Sequence, residues 1–193
     1  MASLLTFASF TSPEGATGVK DYFSLNGPIE FRDKKFSLSW SSHPSEIYYK
    51  QEYLPAGEQA ESFHQMILIE ALNGELAVTE ALKGKMDELD QRKRMDPLVQ
   101  YQVSVNKVKD EYLLDFIISQ SNGNSSIVEW NVYRYIRLKL KSGKTGILLF
   151  GFSKRAYNEG TTVFLKNLKE NRLKDMAAFT AVTVPAVSIE KRL

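Results

Sequence analysis

Cysteine is absent from the 193-residue chain. Its absence removes disulfides, thiolate nucleophiles, iron–sulfur clusters and cysteine-ligated zinc at once. It fits an exported protein as well as a cytoplasmic one. Histidine is nearly absent too: only His43 and His64 occur. Neither belongs to a His-Glu-x-x-His helix or to another ligand-spaced cluster, so no metal site and no cofactor is expected. An excess of one charge sign is also lacking. The formal net charge is +2, which excludes a dominant electrostatic field for nucleic acid or a membrane surface. No run reaches the roughly 20 apolar residues of a membrane span. There is no Gly-x-Ser-x-Gly elbow. Gly143-Lys144-Thr145 lacks the upstream glycine of a phosphate loop and falls in a hairpin turn.

What is present is a chain long enough for one domain with a sizeable core. Its centre, Val99 to Tyr157, reads as four consecutive strands in two hairpins. The runs are 99–108, 111–119, 127–141 and 146–157, each alternating with period two. Val99, Tyr101, Val103 and Val105 share a face in the first. Val128, Trp130, Val132, Ile136, Leu138 and Leu140 do so in the third. Short polar breaks containing Gly or Asn imply antiparallel pairing, because parallel neighbours need a long crossover. The third and fourth runs are apolar on both faces, so they should lie centrally with cover above and below.

Residues 1–26 read as a flexible lead or leader remnant, and 27–193 as a single α+β domain. Met1–Phe10 is short and apolar but has no basic n-region, so a signal remnant, a truncated start and an ordinary tail all remain open. Residues 29–40 and 47–53 are expected to form an N-terminal hairpin about a turn at Ser41–Ser45. Met66–Leu72 should be a further strand. Glu75 to Met95 is the clearest helix, with Val78, Leu82, Met86 and Leu89 in one stripe and Asp96-Pro97 as its stop. Asp87, Glu88 and Asp90 should solvate its outer face and pair with lysines. A second helix is expected over 162–178, with Thr161 as its N-cap. Val182–Ile189 has strand composition, confined to an edge by Pro185.

Tyr53-Leu54-Pro55-Ala56-Gly57-Glu58, followed by Glu61-Ser62-Phe63 and an apolar strand, resembles a pattern in uncharacterised, often exported bacterial proteins. Those carry Asn-Trp where Ser62-Phe63 stands here. Phe152-Ser153-Lys154-Arg155-Ala156-Tyr157 is similar to the same group. The order of elements is similar to that of the PsbP and Mog1 proteins, an α/β/α sandwich around a central antiparallel sheet. The resemblance implies an N-terminal hairpin, a four-strand meander, one long inserted helix and one C-terminal helix. It further implies a periplasmic or otherwise exported location, and a non-enzymatic soluble binding or assembly module more readily than an enzyme. It supplies no catalytic residues.

Two functional readings stand beside each other. A binding module should have an aromatic or apolar cleft and take an unknown protein or a small anionic ligand. A small hydrolase would use His64 or His43 with a nearby serine, such as Ser62, and needs a carboxylate and an oxyanion hole in reach. The run Tyr133-Arg134-Tyr135-Ile136-Arg137-Leu138-Lys139-Leu140-Lys141 interleaves aromatic and basic residues, as in sheets that stack bases. Core tyrosines with outward-snorkelling cations explain it as well. With the near-neutral charge, nucleic acid is not an expected partner.

Arg134 stands out because it shares the face of Val132 and Ile136. If Ser142-Gly143 is a two-residue loop, Lys141 pairs with Lys144 and Arg134 faces Gly151. If the preceding loop pairs Ser119 with Ile127, Tyr112 lies on its other side, with Arg155 further along the same face opposite Trp130. These four residues, Arg134, Gly151, Tyr112 and Arg155, form the candidate niche for an anionic group. A β-bulge turning Arg134 outward, or an internal salt bridge, is the alternative.

Overall fold

The computed structural model describes residues 18–25, 27–123, 125–139, 143 and 145–189. The elements run β1 (Ile29–Phe31), β2 (Lys34–Ser45), β3 (Tyr48–Pro55), β4 (Gln65–Asn73), α1 (Val78–Arg92), β5 (Gln100–Asn106), β6 (Glu111–Ser121), β7 (Ser126–Lys139), β8 (Thr145–Tyr157) and α2 (Gly160–Ala181). All the strands join one sheet in the order β1-β2-β3-β4-β8-β7-β6-β5, with every neighbouring pair antiparallel. Two four-strand meanders are thus joined edge to edge by β4 and β8. From β4 the chain must travel four strand spacings, about 19 Å, to start β5. Helix α1 has 15 residues and so spans about 22 Å at 1.5 Å per residue, enough to make that crossing.

The expected α/β/α sandwich is not what forms. Strand takes 46% of the described residues and helix 22%, and the sheet curls into a half-barrel. Neither helix makes a layer. α1 rests against β5, β6 and β7, and α2 mainly against β7 and β8. With β1–β3 outside the reach of α1, the sheet closes much of its apolar surface by its own curl and by coil. The likeness to PsbP and Mog1 proteins therefore has no sandwich to rest on.

Alternation divides the strand residues between two cores. One face gathers Tyr53, Ile67, Ile69, Trp130, Val132, Phe150 and Phe152 with Leu168 and Phe179 of α2. The other gathers Leu68, Leu114, Phe116, Tyr135, Ile147 and Leu149 with Val78, Leu82 and Leu89 of α1. β7 and β8 are buried on both faces over most of their length, as central strands should be.

Three local expectations are corrected. The run 29–40 is two strands, not one, because the chain reverses at Arg32, which takes a left-handed φ of 54°. β2 then continues through His43-Pro44, where a turn was expected. A residue before proline favours extended backbone, and the register slips between Ser42 and Ser45 to accommodate the ring. Val182–Ile189 is coil. Its apolar side chains Val182, Val184, Val187 and Ile189 pack against the first core, and Ser188 N–H donates to Phe23 O at 2.9 Å.

Met1–Phe10 lies outside the described residues. Within the lead, Phe23 is fully buried in the first core. Asp21 accepts the N–H groups of Phe23, Ser24 and Leu25, and buried Gln51 accepts those of Tyr22 and Phe23. The core thus takes in side chains upstream of residue 27.

Candidate functional site

The arginine niche fails on register. β7 and β8 pair from Lys139↔Thr145, so Arg134 faces Phe150, and Tyr133 faces Gly151. On the other side Arg134 meets Leu113, and Tyr112 meets Tyr135. This register is one residue out of the one that a two-residue loop at Ser142-Gly143 would set. A shift of one residue sends side chains to the opposite face. Arg134 accordingly lies with the first core, whereas Tyr112, Gly151 and Arg155 project from the other face. Gly151 lodges an aromatic ring instead: a Cβ there would meet Tyr133 Cδ1 at 2.8 Å.

Both arginines are internally paired, for Arg134 one of the alternatives weighed from sequence. Arg134, 1% exposed, donates from Nε and Nη2 to Glu111 Oε2 at 3.1 and 2.9 Å. Its Nη1 donates to Phe179 O at 3.2 Å and to Val182 O at 2.7 Å. It is therefore a clamp on the C-terminal end of α2, where a cation suits the free carbonyls. Arg155 donates to Glu129 at 2.6 Å and lies 3.9 Å from the Phe63 ring centroid.

That second contact joins the two segments that carried the family resemblance. Leu54, Phe63 and Met66 form a small core of their own. Glu58 accepts the N–H groups of His64 and Gln65 at 2.6 and 3.1 Å, closing the loop. Gly57 supplies the left-handed φ of 83° that the turn requires. Tyr157 O–H donates to Phe63 O at 2.9 Å, and Arg155 N–H to His64 O at 2.9 Å. Segments 53–63 and 152–157 are one structural unit.

Beside this unit lies a cleft of about 810 Å³ between α2 and the ends of β4 and β8. Arg32, Lys154, Arg155 and Lys174 line it against one carboxylate, Asp175, with His64, Asn167 and Asn171 also on its walls. Asp175 accepts hydrogen bonds from both Arg32 and Lys154. Burial alone would raise its pKa; the hydrogen bonds from Lys154 and Arg32 outweigh burial and hold it below the ordinary carboxylate value. The cleft combines these cations with an apolar wall of Phe164, Leu168 and Ala178 from α2.

α2 is fastened ionically along this side. Arg172 grips Asp115 with both Nε and Nη2, the latter at 2.7 Å, and reaches Gln102 at 2.9 Å. Trp130 Nε1 also donates to Asp115, at 3.2 Å. Sequence reasoning passed over Arg172 and Asp175. The available signal was spacing: Leu168, Arg172, Asp175 and Phe179 repeat at four, three and four, so two charged residues sit in the buried stripe.

The histidines are placed apart. His43 stacks on Tyr49 at 4.0 Å, with Nδ1 3.0 Å from Tyr48 O. His64 meets Tyr157 edge-on at 5.7 Å. Among the described residues, neither ring has a hydrogen bond to a serine or a carboxylate, and no group of three or more His, Asp or Glu is arranged to hold a metal ion. None of the described helices is long and apolar enough to cross a membrane.

The sequence pattern of one protein family matches residues 23–184. No curated protein and no solved structure matches the chain.

Proposed function

The chain belongs to this uncharacterised family of bacterial type, and we propose that it is a non-enzymatic binding or assembly module. The cleft beside α2 receives an anionic group of a small ligand or a protein. One observation carries the reading: three cationic side chains, Arg32, Lys154 and Lys174, stand on a cavity whose lining holds a single carboxylate. Asp175 engages Arg32 and Lys154 but leaves most of the guanidinium donors of Arg32 unused. Lys174 and the amides of Asn167 and Asn171 add donors on the opposite wall, a combination suited to carboxylate or phosphate oxygens. The likeness of Tyr53–Glu58 to a segment of exported bacterial proteins supports action in the periplasm or outside the cell.

Titration of the full chain with inorganic phosphate and with citrate tests this, read by calorimetry and by amide shifts. Binding should perturb residues 154 and 167–175 and weaken with salt. Lys154→Met combined with Lys174→Met should weaken it about 10-fold or more, the loss expected for a charge-assisted hydrogen bond. Shifts confined to other surfaces, or wild-type affinity in the double variant, would overturn the assignment.

A further inference from the structure

The two edges of the sheet are built differently. β1 is three residues long and follows Gly27-Pro28. Its neighbour β2 carries Lys34 and Lys35, contains Pro44 and has two register irregularities. Shortness, charge, proline and bulges are the devices that keep an edge from recruiting another strand. β5 has none of them. It runs seven residues, Gln-Tyr-Gln-Val-Ser-Val-Asn, without charge, proline or glycine, and pairs with β6 in unbroken register from Gln100↔Ile117 to Asn106↔Glu111. Among the described residues no strand covers its outer side.

We propose that the β5 edge pairs antiparallel with β5 of a second copy of this chain, about a two-fold axis at Val103, to make one continuous sheet. The argument for a second copy is self-complementarity, which an isologous interface requires. Centred on Val103, Gln100 meets Asn106, Tyr101 meets Val105, Gln102 meets Ser104, and Val103 meets itself. Every pair joins polar to polar or apolar to apolar, on the same face in both copies. The strand bears no charge, so nothing repels across the axis. Pairing covers Val105, which is 52% exposed in the single chain. It also brings Val108, 96% exposed, level with Leu98 of the second copy.

The lack of cysteine makes the test direct. Residues opposite each other across an antiparallel pair have Cβ atoms about 4.5–5.5 Å apart, near enough for a disulfide after small adjustment. Val103→Cys places the only thiol of each chain at the axis. Under mild oxidation it should give a disulfide-linked dimer, whereas Val163→Cys, on the exposed side of α2, should not. The wild type should sediment as a dimer at about 100 μM chain, a species that depends on concentration. Val103→Lys should sediment as a monomer with an unchanged circular dichroism spectrum. A monomeric wild type at that concentration, or equal cross-linking of the two cysteine variants, would overturn the proposal. A wild type that stays monomeric but captures an unrelated extended peptide at this edge would do the same.

Discussion

Arg134 shows how much a single buried charge depends on its partners. Its side chain and that of Glu111 are each 2% exposed, and the guanidinium lies beside the stacked rings of Phe150 and Phe179, 5.7 and 6.0 Å from their centroids. Breaking such a pair from one side strands the other charge in the core, whereas replacing both with apolar residues is often neutral. Arg134→Met should therefore cost about 3–5 kcal/mol, in contrast to the tolerance that a ligand-facing arginine would show. Glu111→Leu added to it should recover a large part of the loss. The remaining deficit comes from the carbonyl of Val182, left without a donor at about 1–3 kcal/mol for a buried polar group, whereas Phe179 O keeps the N–H of Val182 at 3.1 Å. Urea midpoints of the two single variants and the double variant measure the coupling. Strict additivity would mean that the pair contributes nothing as a pair.

At the scale of elements, α1 follows the rule that an amphipathic stripe finds the core. Val78, Leu82 and Leu89 are buried, while Lys83 pairs in solvent with Asp87. Leu82→Ala should cost about 2–5 kcal/mol through lost contacts and a cavity. Lys83→Ala should cost under about 0.5 kcal/mol, as for an isolated surface change. Equal shifts of the thermal midpoint would contradict this orientation of the helix. Such periodicity was legible in the chain, as were β4 to β8 and the burial of β7 and β8 on both faces, whereas α1 ends at Arg92 with Lys93 as its cap, before the stop expected at Asp96-Pro97. What was not legible depends on spacing set elsewhere. Ser142-Gly143 looks like a two-residue turn, yet the pairing runs through Lys139↔Thr145, one residue out of that register, which moves Gly151 and Arg155 away from Arg134; a separate one-residue slip between β6 and β7, with Ser119 opposite Val128, moves Tyr112. Val182–Ile189 has the composition of a strand but fills the core as coil, because hydrophobicity records burial and not pairing. The order of helices and strands likewise carries no information on how far a sheet curls. The cationic cleft was hidden for a related reason: Arg32, Lys154 and Lys174 lie on three different elements, and only the fold brings them to one cavity.

At the scale of the whole molecule, Asp96 and Asp175 are carboxylates whose affinity for protons falls on folding, and both join a helix to the sheet. Asp175 ties α2 to Arg32 in the β1–β2 turn and to Lys154 of β8. Asp96 ties the end of α1 to β6. It accepts Arg92 Nε at 3.0 Å, and both the N–H and O–H of Ser119 at 2.6 Å. Burial alone would raise the Asp96 pKa, but the hydrogen bonds from Ser119, Arg92 and Leu98 outweigh it and lower the value. A carboxyl group with a depressed folded-state pKa binds its proton more readily in the unfolded chain. Its contribution to stability is therefore fully present above the unfolded value of about 3.9 and is lost as pH falls through the folded value. From these groups, the melting temperature should be level at neutral pH and drop below about pH 4. Asp96→Asn and Asp175→Asn should each lower stability at pH 7 and flatten the acid limb, because the amide cannot titrate. Since the two sites hold different helices on different strands, their effects should add to within about 0.5 kcal/mol. Melting curves of the wild type, both single variants and the double variant from pH 2.5 to 7 measure slope and additivity together. An acid limb as steep in the double variant as in the wild type would show that other carboxylates govern the acid response.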